Sequence, residues 1–302
     1  MSESRSGRLR WGPVLMLLAA LSFTLMVSCV KVARTEMSAF DVVWWRGLVS
    51  VPLCMAAVRR GHWRIHRLDW FTARVVFGFI AMACYFSAAG GLPVANLTLI
   101  TRLQPIAIAL VAPLMLGAGE AADRRTWVLS LLGGLGCAVL LTPEVQSGNP
   151  AGYMALGAVV ASALSHTSLR ALGPTEQSQT LVFWFQLCVT IGALGWIALR
   201  DGALPVLPPV HLAPWLLGVG FFAALGQSLL TRAYQMERAA LVAAASHASP
   251  IFALLIDLVA FAHTPSWTTL LGGIIVMGAA LALVFAPASR TDEPPTATTP
   301  QS

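Results

Sequence analysis

Apolar residues run through this chain in stretches of about 20, the length an α-helix needs to cross a hydrocarbon core, and they lack the polar/apolar alternation of barrel strands. They predict ten membrane-spanning helices at roughly 12–32, 40–58, 71–90, 94–117, 126–142, 151–171, 180–199, 213–233, 239–262 and 268–286. The polar remainder is thin. It comprises a basic segment over 1–11, short connections, and a tail over 287–302 rich in Thr and Pro with Asp292 and Glu293, which reads as disordered. The expected fold class is all-α integral membrane, and no soluble catalytic or nucleotide-binding domain fits.

Two of the predicted helices are interrupted in the same way. Arg102-Leu103-Gln104-Pro105 and His247-Ala248-Ser249-Pro250 each set a basic residue three before a proline inside an apolar run. Aligning the prolines pairs Ala95 with Ala240 and Thr101 with Ser246. Leu132-Gly133-Gly134, after Trp127, then answers Leu271-Gly272-Gly273, after Trp267, and Trp44-Trp45-Arg46 lies over Trp184-Phe185-Gln186. Each half (12–142 and 151–286) holds five spans. Five is odd, so the second half enters the membrane from the opposite side, and the expected architecture is ten transmembrane helices as two inverted five-helix repeats. Such a repeat has two related conformations, one open to each side, with a site near the midplane. Alternating access by rocking one five-helix half against the other follows.

Composition agrees with a membrane protein. Of 302 residues 57% are hydrophobic and 11% charged, with mean hydropathy +0.74, too little polar surface for a soluble domain. The formal charge of +6 is explained by the positive-inside bias and calls for no nucleic acid. With a cytoplasmic N-terminus, the inner ends hold Arg5, Arg8, Arg10, Arg59, Arg60, Arg64, Arg67, Arg74, Arg124, Arg125, Arg170, Arg232, Arg238 and Arg290. The outer ends hold Lys31, Arg34 and Arg200, while Arg46 and Arg102 fall within spans. Both termini are then cytoplasmic. Cys29, Cys54, Cys84, Cys137 and Cys188 are scattered through apolar spans and read as packing residues, not as disulfides or metal ligands. Val27-Ser28-Cys29 faintly mimics a lipoprotein cleavage site, but nine further spans argue for an uncleaved first helix.

A cation at mid-membrane depth costs roughly 2.5–3.5 kcal/mol and belongs in a wet cavity. Arg102 therefore reads as a clamp for a carboxylate or phosphate, or else as an ion-pair partner of Asp41 or Asp257. Pro105 and Pro250 each remove a helical hydrogen bond and read as hinges or as plain packing features. His247 occupies the position equivalent to Arg102 and reads as a site-lining, proton-coupling or simply hydrogen-bonded histidine. Asp257 is the other candidate proton carrier or ion-pair partner, and Asp41 reads as a helix start. Arg46 either binds substrate or braces helices. Asn96, Thr101, Gln104, Gln186 and Gln227 offer hydrogen bonds, and Trp44, Trp184 and Tyr85 offer flat apolar walls, a mixture suited to an amphipathic small molecule or to helix packing. His62, His66, His166 and His211 lack metal-ligand spacing, so neither metal nor cofactor is expected.

Trp45-Arg46, Tyr85 through Gly117 with its mid-helix proline, the polar turn with Glu120, Trp127, and the glycine-rich helix ending in Leu141-Thr142-Pro143 resemble the drug/metabolite transporter superfamily, in its EamA-type branch of ten-helix carriers. The resemblance covers 12–286. The chain departs from the family's common Gly-Glu after the fourth helix, having Gly117-Ala118-Gly119-Glu120, and the second copy at Ala262-His263-Thr264-Pro265 lacks the acid. The resemblance implies a secondary carrier in a bacterial inner membrane, with export preferred to uptake and Arg46 facing the helix bundle. Within the family the chain looks most similar to exporters of amino-acid-derived opine metallophores such as pseudopaline, a place in metal homeostasis. Uptake of riboflavin, S-adenosylmethionine or an amino acid is the alternative.

An intramembrane enzyme is the weaker rival, since the chain has no H-E-x-x-H, G-x-S-x-G or G-x-x-x-x-G-K-[ST] motif. The expected partners are a small-molecule substrate and the lipid bilayer, with a homodimer left open. The cationic bias of Arg46, Arg102 and His247 over Asp41 and Asp257 points to a substrate bearing carboxylates.

Overall fold

The computed structural model describes residues 11–59, 61–89, 100–141, 150–173, 175–202, 204–249, 251–252, 255 and 267–284. Among them are ten α-helices and no strand. They are α1 (Trp11–Ala33), α2 (Ala39–Ala57), α3 (Leu68–Ala89), α4 (Gln104–Leu116), α5 (Arg124–Leu141), α6 (Pro150–Leu172), α7 (Ser178–Asp201), α8 (Ala213–Met236), α9 (Ala239–Ala245) and α10 (Trp267–Val284). Among the described residues five stretches have the length and hydropathy to cross a membrane: Trp11–Val30, Ala39–Ala57, Leu68–Tyr85, Ser178–Arg200 and Val210–Met236. The protein is an integral membrane protein whose described residues form helices and no strand.

Local chemistry sets several helix ends. Ser38 caps α2: its hydroxyl accepts from Asp41 N (3.2 Å) and donates to Asp41 Oδ2 (2.5 Å). Asp41 Oδ1 also accepts from Val206 N (3.1 Å). Asp41 is thus a helix-start residue committed to its own end of the bundle.

The repeated interruption is a real break on its first copy. Ile100 and Thr101 are helical, Arg102 and Leu103 form a turn, and α4 restarts at Gln104 with Pro105 in its first turn. A first-turn proline sacrifices no helical hydrogen bond of its own segment and comes with φ already set. Pro105 therefore starts a helix after the break instead of kinking one continuous helix. On the second copy α9 gives way to a 3₁₀ turn at Ser246–Ala248.

The most extensive helix contacts run between the two halves of the chain. α1 packs along α8 and α3 along α6, while α2 faces α7, α4 faces α9 and α5 faces α10; further contacts join α4 to α6 and α1 to α9. Exchanging α1–α5 for α6–α10 maps this set of pairings onto itself. One hydrogen bond is written twice in the same sense: Ser22 Oγ on α1 donates to the Phe222 carbonyl on α8 (2.9 Å), and Ser165 Oγ on α6 donates to the Arg74 carbonyl on α3 (2.8 Å). At the α2–α7 contact Gly47 lets the backbones close up, since a Cβ there would lie 1.9 Å from Thr190 Oγ1. The largest apolar cluster gathers Met16, Ile108, Leu169, Leu172, Leu181, Tyr234 and Val242, from both halves. The main helix contacts therefore cross the chain's midpoint.

Candidate functional site

The two halves meet around a cavity of about 400 Å³, a volume suited to a small metabolite. Its wall takes residues from α1, α2, α3, α4, α6, α7 and α8 and from the two helix breaks. Six of the candidates read from the sequence are brought together there: Arg46, Tyr85, Thr101, Arg102, Gln104 and Gln227.

Arg102 sits in the turn before α4 and donates from Nη1 to the Ser246 carbonyl (3.2 Å). The sequence explains why that carbonyl is available. In a continuous helix it would accept from the N–H of residue 250, and proline has none. Ser249 Oγ also donates to it (2.7 Å). The break of one half is thus fastened to the guanidinium of the other. Arg46 behaves in parallel, donating from Nη2 to Gln186 Oε1 (3.2 Å), and Gln186 is the residue aligned with Arg46 in the second half. Gln186 is 1% exposed, and its Nε2 has no hydrogen-bond partner among the described residues.

His247 lies behind the wall, 1% exposed. Its ring fills the space left by Gly133 of α5, where a Cβ would come within 2.8 Å of His247 Cδ2. Trp44 and Trp184 do not line the cavity. Trp44 packs on the apolar cluster around Phe40 and Val189, and Trp184 donates from Nε1 to the Trp63 carbonyl (2.9 Å). Pro105 is buried at the start of α4. Asn96, Pro250 and Asp257 lie outside the described residues.

Two titratable residues on the wall were not foreseen. Arg74, read as an inner-end cation, is 3% exposed inside the bundle. Its Nη1 donates to Ser165 Oγ (2.7 Å), its Nη2 to Gln227 Oε1 (3.2 Å), and its Cζ stands 4.1 Å from the centroid of the Phe185 ring. The helix begins at Leu68, not at 71 as expected, which sets Arg74 almost two turns in. His166, read as isolated, has Nδ1 2.6 Å from Gln104 Nε2 and stacks on Tyr234 with centroids 5.2 Å apart.

Three guanidiniums therefore share one cavity, and no aspartate or glutamate is among the described residues of its wall. Among the described residues no group of three or more His, Cys, Asp or Glu is placed to hold a metal ion. The arrangement favours anionic oxygen, which guanidinium binds through parallel N–H donors.

Carboxylates lie instead at the end of the bundle where the connections after α2, α4, α6 and α8 meet. Glu120 Oε1 accepts from Arg170 Nε (2.7 Å), and its Oε2 accepts from Ala239 N (3.4 Å). Arg170 Nη1 also reaches the Gln235 carbonyl (3.2 Å). Glu176 Oε1 accepts from His66 N (2.6 Å) and Arg67 N (2.8 Å). These acids tie one half to the other.

Known proteins resemble this chain. A model of the EamA-like transporter family matches residues 10–142 and again 150–285. The pseudopaline exporter CntI of Pseudomonas aeruginosa is 26% identical over 280 residues, covering 91% of this chain and 96% of that one. The riboflavin transporter of Vibrio cholerae is 24% identical over 279 residues, covering 88% of this chain and 90% of its own. A solved crystal structure superposes with a TM-score of 0.80 at 18% identity, over 93% of this chain and 99% of the other, a likeness of fold. The double match, the helical membrane-spanning build and these relatives agree with the resemblance read from the sequence: the chain belongs to the EamA-like transporter family.

Proposed function

We propose that this protein is a secondary active transporter that exports a small, amino-acid-derived, carboxylate-bearing metabolite, an opine-type metallophore such as pseudopaline, across a bacterial inner membrane by alternating access. The observation that carries this reading is the cavity lined by Arg46, Arg74 and Arg102 without an acidic residue on its described wall. Cations held out of water need a countercharge, and a carboxylate substrate brings it. The likeness to the pseudopaline exporter over 91% of the chain supports the choice of substrate class and of export.

The mutually exchanged helix pairings support an inverted pair of five-helix repeats, with both termini cytoplasmic. In this reading the turn at Arg102–Leu103 and the segment at Ser246–Pro250 flex as the cavity changes sides. Substrate carboxylates displace weak neutral partners such as the Ser246 carbonyl on Arg102 and the Gln186 amide oxygen on Arg46. Asp257 and His247 are the groups proposed to carry a coupling proton.

Proteoliposomes containing the purified protein should show saturable flux of a labelled opine and none of riboflavin. Arg102→Ala should cut opine flux at least tenfold while leaving protein folded in the membrane. Riboflavin flux with no opine flux would replace this reading by the uptake alternative.

A further inference from the structure

Arg74 is the most enclosed cation of the wall, and its partners do not neutralise it. Ser165 Oγ and Gln227 Oε1 are neutral acceptors, Phe185 supplies a ring face, and Nε has no acceptor among the described residues. No carboxylate pairs with Arg74 or with Arg46 among the described residues. A guanidinium taken out of water and left in that state destabilises the protein that holds it, so its retention beside a cavity calls for a ligand that completes it.

The anchors of the arginines are also separate. Arg74 is held by α6 and α8, Arg46 by Gln186 of α7, and Arg102 by the Ser246 carbonyl. These anchoring groups differ from one arginine to the next. One carboxylate fills one guanidinium fork, so a substrate with a single carboxylate would answer only one of these positions.

We infer that Arg74, cradled by Ser165, Gln227 and Phe185, is a second carboxylate-binding position that makes the carrier selective for substrates with two or more carboxylates. The inference rests on the carboxylate-carrier reading above and adds to it a rank order: a dicarboxylate is taken in preference to an otherwise identical compound with one carboxylate masked. Ser165 is suited to hold the guanidinium without competing for its charge, because its hydroxyl is itself fixed by donating to the Arg74 carbonyl. The ring of Phe185 covers one face of the fork and leaves its edge as the side from which a ligand approaches.

The test uses the full chain in proteoliposomes, with N-(1-carboxyethyl)alanine and its monoamide as probes, and compares wild type with Arg74→Gln and Arg74→Met. For wild type the half-saturating concentration for the diacid should lie about tenfold or more below that for the monoamide. In both variants this ratio should collapse to about one, through loss of diacid affinity.

Thermal melting without ligand separates a binding role from a structural one. Replacing an uncompensated buried cation by a neutral chain of similar reach should leave the melting temperature equal or higher. Loss of unliganded stability in both variants assigns Arg74 to scaffolding and overturns the inference, as does an unchanged ratio in either folded variant. Wild type that carries neither probe refutes the carboxylate reading itself. Wild type that carries both equally refutes only the selectivity drawn here.

Discussion

Gly133 has no side chain because His247 stands where one would be. Gly133→Ala brings a Cβ within 2.8 Å of Cδ2 and 3.0 Å of Cγ of that ring, so the imidazole must tilt or α5 must retreat. The expected cost is about 1–3 kcal/mol, read as a lower melting temperature. Removing the ring should relieve it, so Gly133→Ala with His247→Ala should be less destabilised than the sum of the single changes. An additive result would show that the two positions do not touch. Residue chemistry was legible in the sequence for some polar groups deep in apolar runs: Arg46, Arg102 and Gln104 reach the cavity, whereas Gln186 and His247 are buried without lining it. It was not legible for Arg74, whose apparent distance from the membrane edge depended on where its helix begins. The contacts of His166 and Glu120 were missed for another reason. Their partners, Gln104 and Arg170, are 62 and 50 residues away, and no local pattern encodes such pairs.

Helix ends were predicted closely because capping and proline chemistry are local. α2, expected at 40–58, runs over Ala39–Ala57, and α8, expected from 213, begins at Ala213. The broken helices were harder: periodicity gave continuous spans over 94–117 and 239–262, and the chain interrupts the first at Arg102–Leu103 and turns the second into a 3₁₀ stretch at Ser246. One end offers a direct check. Asp123 precedes α5, and its Oδ1 accepts from Thr126 N (3.1 Å). Partial burial pushes the Asp123 carboxyl up, but its hydrogen bonds with Thr126, aided by the charge of Arg238, outweigh this and hold it below its ordinary value. A lowered carboxyl stabilises the fold above the unfolded value, near 3.9, and loses that contribution as pH falls through the folded one. Asp123→Ala should cost about 1 kcal/mol at neutral pH, with the gap to wild type closing below about pH 4. Melting curves at both pH values measure this, and a gap that persists in acid would mean the cap acts without its charge.

The molecule as a whole is interleaved. α1 lies against α8 and α6 against α3, so the first helix of each half packs most extensively on the third helix of the other. Fragments covering 1–146 and 147–302 should each be degraded or aggregate when made alone, yet restore opine flux when made together. A single fragment that is stable and monodisperse on its own would contradict the interleaving. The same feature has a consequence for synthesis. Ser22 bonds to the carbonyl of Phe222, 200 residues downstream. At about 5–20 residues per second the ribosome needs about 10–40 s to deliver that partner. Throughout that interval the first helix waits in the lipid without the surface it was shaped to meet, and the order of emergence from the ribosome, more than the strength of any one contact, decides when this carrier becomes a single object.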